Sequence, residues 1–371
     1  MMEEIKTRWN QIKTEYEDRY KESFLGDFDK SKEYLEQMKE HLIVKQDATP
    51  DDVDVACTLA SVKLELREGE NECIEFLEDF IYRFANELDD KQLARIYTNI
   101  AFFEDYSRKA LEYLTKARDL NSPFAETYTA LGLYYFSEYE FSKDKKNLVM
   151  SNEFFKDARE LKESYESNIN YGASLYELKE FERAKEIFEE LIKVYPDRMW
   201  LKLCMAYCDV ALENKADALS YLEKIKIGLD DNSGLSTDDI MEYQIFDAYY
   251  ELEEYEQFLG YCTEEIDSVY YTVDWDHLYY VLWISGKRDR FLRLEEKNRK
   301  YLEEAIAEAI ADTEYESEKE KQDTIKSWEK DKQEFEDMIY RIKDRQLRPE
   351  MELKLYPEYS CYMVDCVRHK F

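Results

Sequence analysis

Apolar and small residues return along this chain at helical spacing, and over its middle they return with a longer period as well. Gly172, Ala184 and Phe188 have counterparts 34 residues on, at Ala206, Ala218 and Leu222, although Pro196 has none. One unit earlier, Tyr128, Leu131, Gly132 and Tyr135 form a helix-length run, and Ser151, Phe155 and Ala158 give a small, large, small series for a second helix. Gly132 and Gly172 are 40 residues apart, which predicts an extra loop near Phe141 to Asn147. The physical reading is two antiparallel helices per unit. Gly132, Gly172 and Ala206 have little or no side chain where the helices cross, while Phe155, Phe188 and Leu222 fill the gap beneath the neighbouring unit. Pro123 and Pro196 each follow a helix end, where a residue unable to continue the helix is expected.

Weaker units flank this centre. Tyr97 to Leu120 reads as one, turning at Asp105 and Tyr106, with Ala110, Leu114 and Ala117 along its second helix. Val53 to Phe84 turns at Gly69, and Trp9 to Leu42 turns at Gly26. On the other side, Met241 to Ile266 and Trp275 to Leu294 have helix lengths and turn signals, Gly286 among them. Two long helices follow, the second carrying Ile325, Trp328, Phe335, Ile339 and Ile342 at three-and-four spacing with Lys332 interrupting. Thr313 with Glu316 and Ser317 with Glu320 fit capping boxes, so a helix should restart near residue 317, although one continuous helix would also fit. Beyond Pro349, the alternation of Met351, Leu353 and Leu355 and the turn at Pro357 predict two short extended segments.

The W-x2-L-G-x2-Y spacing at Tyr128 to Tyr135 and the 34-residue return resemble the tetratricopeptide repeat over Tyr128 to Ile225. The resemblance implies an all-α fold: a right-handed superhelical solenoid of helix pairs with a long C-terminal helical region. Four segments are expected, namely a divergent helical pair over 1–50, the solenoid over 51–286, long helices over 287–347 and an extended tail over 348–371.

Composition supports helix. In 371 residues there are only 8 Gly and 5 Pro, few of the breakers that an all-β or α/β chain needs. A hydrophobic share of 44% is ample for a core. With 86 acidic against 52 basic residues the net charge is −34, so a nucleic acid partner is excluded by repulsion. Lys287 to Arg345 holds 15 basic and 18 acidic residues and the tail from Gln346 holds 4 of each, which leaves −31 on Met1 to Gly286. No stretch reaches the ~20 apolar residues of a membrane span, and the charged run Met1 to Gln11 lacks the apolar stretch of a signal peptide, so a cytoplasmic protein is expected, with no membrane partner. Seven cysteines fit a reducing compartment.

No element looks catalytic. There is no phosphate-cradling glycine loop and no H-E-x-x-H, so no enzyme and no cofactor are expected. His41 and His277 sit in helical patterns without a telling partner. Cys361, Cys366 and His369 form a C-x4-C-x2-H cluster that could offer soft ligands to zinc if a fourth arrived from elsewhere, but it lacks the four ligands and paired short spacings of structural zinc sites, so no metal site is assigned. Cys204 and Cys208 read as packing residues of the repeat. Asp230, Asp231, Asn232 and Gly234 faintly resemble a calcium loop, but its twelfth residue is Met241, so the segment reads as a loop before a helix capped by Ser236, Thr237 or Asp238. The 32 tyrosines are mostly amphipathic filler between helices.

In repeats that these resemble, the first helix of each pair lines a concave groove. Carried over to the three matched units, this gives Thr129, Leu133 and Phe136, then Ile169, Ala173 and Tyr176, then Trp200, Leu203, Tyr207 and Val210, with Glu126 and Glu177 on the same helices. None of these positions is Lys, Arg or Asn, so the carboxylate clamp of chaperone-binding relatives is not expected. An apolar, aromatic groove with acidic surroundings implies a non-enzymatic module that binds a basic or amphipathic protein segment. The alternatives are a peptide-sensing bacterial regulator and an acidic protein that neutralises a basic toxin. The C-terminal helices filling the groove themselves is a further possibility.

Overall fold

The structure, a computed structural model, describes all residues except Tyr106, 227–239, 265–266 and 268–271. The turn residue Tyr106, the calcium-like loop with its capping candidates, and Ile266 therefore lie outside the described residues. The described residues form 17 α-helices and no strand, and none of these helices is long and apolar enough to cross a membrane. The fold is all-α, built of consecutive helix pairs. Contacts divide it into two compact units, Met1–Leu191 with Leu355–Phe371, and Ile192–Lys354, a grouping different from the four segments expected.

In the first unit the pairs are α1 (Met2–Tyr20) with α2 (Phe28–Ala48), α3 (Val53–Glu65) with α4 (Glu70–Phe84), α5 (Asp90–Phe103) with α6 (Arg108–Asp119), and α7 (Ala125–Ser142) with α8 (Lys145–Leu161). Then come α9 (Tyr165–Glu177) and α10 (Phe181–Val194). Each helix packs on the next from α1 to α9. The close crossings are real: a Cβ on Gly132 would lie 2.5 Å from the Phe155 ring, and one on Gly172 would lie 2.5 Å from the Phe188 ring. No side chain fits between those helices, which is why the residue there has none. The loop expected near Phe141 to Asn147 is absent. The extra residues instead lengthen α7 and α8 to 18 and 17 residues, leaving only Lys143 and Asp144 between them.

The second unit contains α11 (Met199–Ala211), α12 (Lys215–Leu222), α13 (Glu242–Glu251), α14 (Tyr255–Tyr261), α15 (Asp276–Ile284), α16 (Arg288–Ala311) and α17 (Glu318–Arg345). The helix does restart after 317, with the Ser317 hydroxyl accepting from the Glu320 N–H at 3.1 Å. Phe335, Ile339 and Ile342 of α17 are buried, and this helix packs on α15 and α16.

Most pairs turn in the same way. The second residue past the first helix is left-handed at Arg67, Lys179, Glu213, Glu253 and Gly286. In each turn the next N–H reaches back across it, as Glu180 to the Leu175 carbonyl at 2.9 Å and Asn214 to the Asp209 carbonyl at 2.8 Å. This pairing satisfies helix-end carbonyls and reverses the chain within three residues.

Candidate functional site

In the first unit the first helix of each pair carries side chains that hold the chain's own C-terminal segment. From Leu355 the segment runs back from α9 towards α1, without regular structure to Met363 and then through turns at 364–365 and 367–369. The Leu355 N–H donates to the Glu177 carboxylate at 2.9 Å. Asn170 on α9 grips the Glu358 backbone in both directions, its carboxamide oxygen accepting the N–H at 2.6 Å and its NH2 donating to the carbonyl at 3.3 Å. Asn99 on α5 does the same to Val364, at 2.8 and 3.3 Å. Farther along, the Val367 N–H donates to the Ser61 hydroxyl on α3 at 3.3 Å. A carboxamide presents an acceptor and a donor side by side, and so can take both the N–H and the carbonyl of a single residue. Asn99 and Asn170 are 1% and 0% exposed, so both carboxamides are buried, and for Asn99 the pairing with Val364 is buried as well, where losing it would be costly.

Side chains of the segment enter the core between these backbone anchors. Val367 joins the cluster of Ile5, Trp9 and Leu59, while Met363 and Cys366 join that of Leu77, Phe80 and Ile100. The Tyr362 hydroxyl donates to the Ala101 carbonyl at 3.1 Å, its ring lies edge-on to Phe102, and the Phe371 ring stands edge-on to Trp9. Charge pairs bracket the end. The Lys370 ammonium is 2.5 Å from the Glu126 carboxylate. Burial works to raise the Glu126 pKa, but Lys370 outweighs it and holds the group below the ordinary carboxylate range. Arg368 pairs with Glu65, and the buried Arg95 bridges Asp54 at 2.6 Å and Asp365 at 3.3 Å.

This arrangement places the groove residues expected from the sequence. Leu133, Phe136, Ile169, Ala173 and Tyr176 are buried and Thr129 is half-buried. Phe136 meets the Tyr356 ring edge-on at 6.3 Å. Those six lie in the first unit. The other four lie in the second, where Leu203 and Tyr207 are buried, Trp200 and Val210 are half-buried, and the Tyr207 hydroxyl donates to the Gln244 carbonyl at 2.8 Å. The ten residues are thus not an open apolar stripe. In the first unit the C-terminal segment lies along the first helices.

Asn99 and Asn170 were not expected, since neither is among the positions carried over from the resemblance. A signal does exist. Asparagine is a poor residue for a helix interior, yet Asn170 stands two residues before Gly172 and Asn99 two before Ala101, within otherwise small or apolar runs.

In the second unit residues 348–350 are held differently. The Tyr250 hydroxyl donates to the Pro349 carbonyl at 2.8 Å, and His277 Nε2 is 3.1 Å from the Glu350 carbonyl. Arg348 donates to the Tyr250 carbonyl and to Glu251, both at 3.1 Å. Burial would lower the His277 pKa, but Asp276 bonded to its Nδ1 at 2.9 Å raises it on balance. Burial pushes the Asp247 carboxyl up to about 7.

A family model described as Tetratricopeptide repeat matches residues 169–198, the stretch containing the crossing of Gly172 over Phe188. The chain carries a tetratricopeptide repeat. This repeat contributes Asn170 and Glu177 to the grip on the C-terminal segment. No curated protein matches the chain. Among solved structures it is similar to a tetratricopeptide repeat protein from Parabacteroides merdae ATCC 43184, 14% identical over 69% of this chain and 89% of that one, with a TM-score of 0.39. It is similar also to yeast Tom70, 15% identical over 86% of this chain and 63% of that one, with a TM-score of 0.38. A third is the TPR2AB domain of yeast Sti1 in its complex with pHSP90, 17% identical over 67% and 99%, with a TM-score of 0.26.

Proposed function

We propose that this protein is a non-enzymatic interaction module whose first unit reads an extended peptide backbone, and that its own C-terminal segment occupies the reading surface until a partner segment competes for it. The observation that carries the reading is the two-way bonding of Asn99 with Val364 and of Asn170 with Glu358. Backbone pairing of this kind supplies affinity to any extended chain, while pockets for alternate side chains supply selectivity. The partner is a basic or amphipathic protein segment. Arg368 and Lys370 meet Glu65 and Glu126 in the bound segment, and the net charge of −34 favours encounter with a cation. A free short peptide offers the same backbone to the same carboxamides, which keeps a peptide-sensing regulator as the second reading.

The test is competition. A protease site placed near the exposed Glu352 allows the segment to be cut within the folded protein, after which a labelled peptide of residues 355–371 is added. The expected result is saturable binding in trans, weakened at least tenfold by Asn99→Ala or Asn170→Ala and weakened by salt. A peptide that binds equally well to both variants would remove the reading.

A further inference from the structure

Among the described residues one cluster of metal-ligating side chains stands out, and it is built entirely from the C-terminal segment. The thiols of Cys361 and Cys366 and the imidazole of His369 bring their ligand atoms within 4.8 Å of one another. Cys366 Sγ is 3.5 Å from His369 Nδ1. Thiolate and imidazole bind zinc at about 2.3 and 2.0–2.1 Å, so tetrahedral ligation sets the sulfur-to-nitrogen separation at about 3.6 Å and the sulfur-to-sulfur separation at about 3.8 Å. The first is already met, and the widest pair needs to close by no more than about 1 Å.

We propose that Cys361, Cys366 and His369 bind a single thiophilic cation of the zinc class through two thiolates and one imidazole, with the fourth position left to water. Two sulfurs and a nitrogen select zinc-like ions over magnesium or calcium, which take oxygen ligands. Cys366 is buried, Cys361 is half-buried and His369 is exposed, so one side of the site opens to solvent and offers both an entry path and the fourth position. Between the ligands lie Met363 in the core and Val364 on the Asn99 carboxamide, and Val367 sits on Ser61. Ligation closes the loop from 361 to 369 and so pre-forms the turn that presents Val364 and Val367 to α5 and α3. The metal holds the segment in its bound shape. Binding releases the thiol protons, so affinity rises with pH.

The experiment is a titration of the full reduced chain with Co2+, followed by Zn2+. The expected result is saturation at one equivalent, with the near-ultraviolet thiolate-to-cobalt band and the visible bands of a tetrahedral site, both erased by Zn2+. Cys361→Ser and Cys366→Ser should each remove the thiolate band or reduce it by about half. His369→Ala, a change at an exposed position, should weaken affinity at least tenfold while leaving the far-ultraviolet dichroism unchanged. The inference is overturned if no one-equivalent binding occurs, if Cys361→Ser binds as tightly as the parent chain, or if the two thiols are lost to a Cys361–Cys366 disulfide with no cobalt spectrum.

Discussion

The C-terminal part of this chain is held at two places by different chemistry. In the first unit neutral carboxamides and a hydroxyl pair with the backbone of Glu358, Val364 and Val367, with the Glu177 carboxylate on Leu355 and ion pairs of Arg368 and Lys370 at the ends. In the second, residues 348–350 are held through Tyr250, His277 and Arg348, beside an Asp247 carboxyl that burial has pushed up to about 7. Carboxamides do not titrate. The two-way backbone pairing in the first unit should therefore be indifferent to pH, while the Lys370–Glu126 pair beside it weakens only as pH falls through the lowered Glu126 pKa, and the second grip should follow pH nearer neutrality.

The largest effect is expected from removing both carboxamides. Asn99→Ala with Asn170→Ala removes the carboxamide partners of the Glu358 and Val364 N–H groups and of the Val364 carbonyl, while the Glu358 carbonyl keeps the Ser360 N–H, and should destabilise the first unit by about 2 to 6 kcal/mol in denaturant titration. A loss below about 1 kcal/mol would mean that the backbone pairing contributes nothing net.

Next comes the titrating side. The folded-state pKa of Asp247 lies above the ordinary 3.8, so the fold favours its protonated form. That contribution is complete below pH 4 and is lost as pH rises through about 7. His277, also raised, acts in the same direction, because protonation that favours the fold is lost as pH rises through its folded-state pKa. Asp247→Asn should raise stability by about 2 to 4 kcal/mol at pH 8 and by much less at pH 5. An equal effect at both pH values would show that Asp247 does not titrate with folding.

A smaller change tests the platform under Asn170. Gly172→Ala drives a Cβ into the Phe188 ring and should cost about 1 to 3 kcal/mol, with hydrogen exchange at Glu358 accelerated. An unchanged denaturation midpoint would mean that α9 and α10 do not meet as described. The smallest effect concerns the turns. Glu213→Gly relieves a left-handed residue at φ 60° and should stabilise by about 0.5 kcal/mol, the relief partly offset by the freedom glycine gives the unfolded chain.

The sequence made the helix pairs legible because Gly132 and Gly172 must be small and Phe155 and Phe188 must be large for two helices to cross. It hid the pair turns because Arg67, Lys179, Glu213 and Glu253 adopt a left-handed conformation that glycine normally marks, and only Gly286 announced it. The six extra residues before Gly172 suggested a loop, yet extending α7 and α8 keeps their backbone hydrogen-bonded. Leu353 and Leu355 of the tail's apolar alternation are buried. The tail's destination was not legible. Asn170 and Glu358 are 188 residues apart, and Asn99 and Val364 are 265 apart, so no local pattern links a carboxamide to the peptide unit it holds. The first-helix rule read an apolar lining as a free surface because in the first unit the segment that lies on those helices comes from the far end of the chain.

The central claim is that Asn99 and Asn170 bind peptide backbone, and amide hydrogen exchange measures it most directly. In the parent chain the N–H groups of Glu358 and Val364 should be protected nearly as well as those within α5 and α9. Asn170→Ala should release Glu358, and Asn99→Ala should release Val364, while protection in the helices persists. Exchange at Glu358 and Val364 as fast as in a free peptide, in the parent chain itself, would contradict the account.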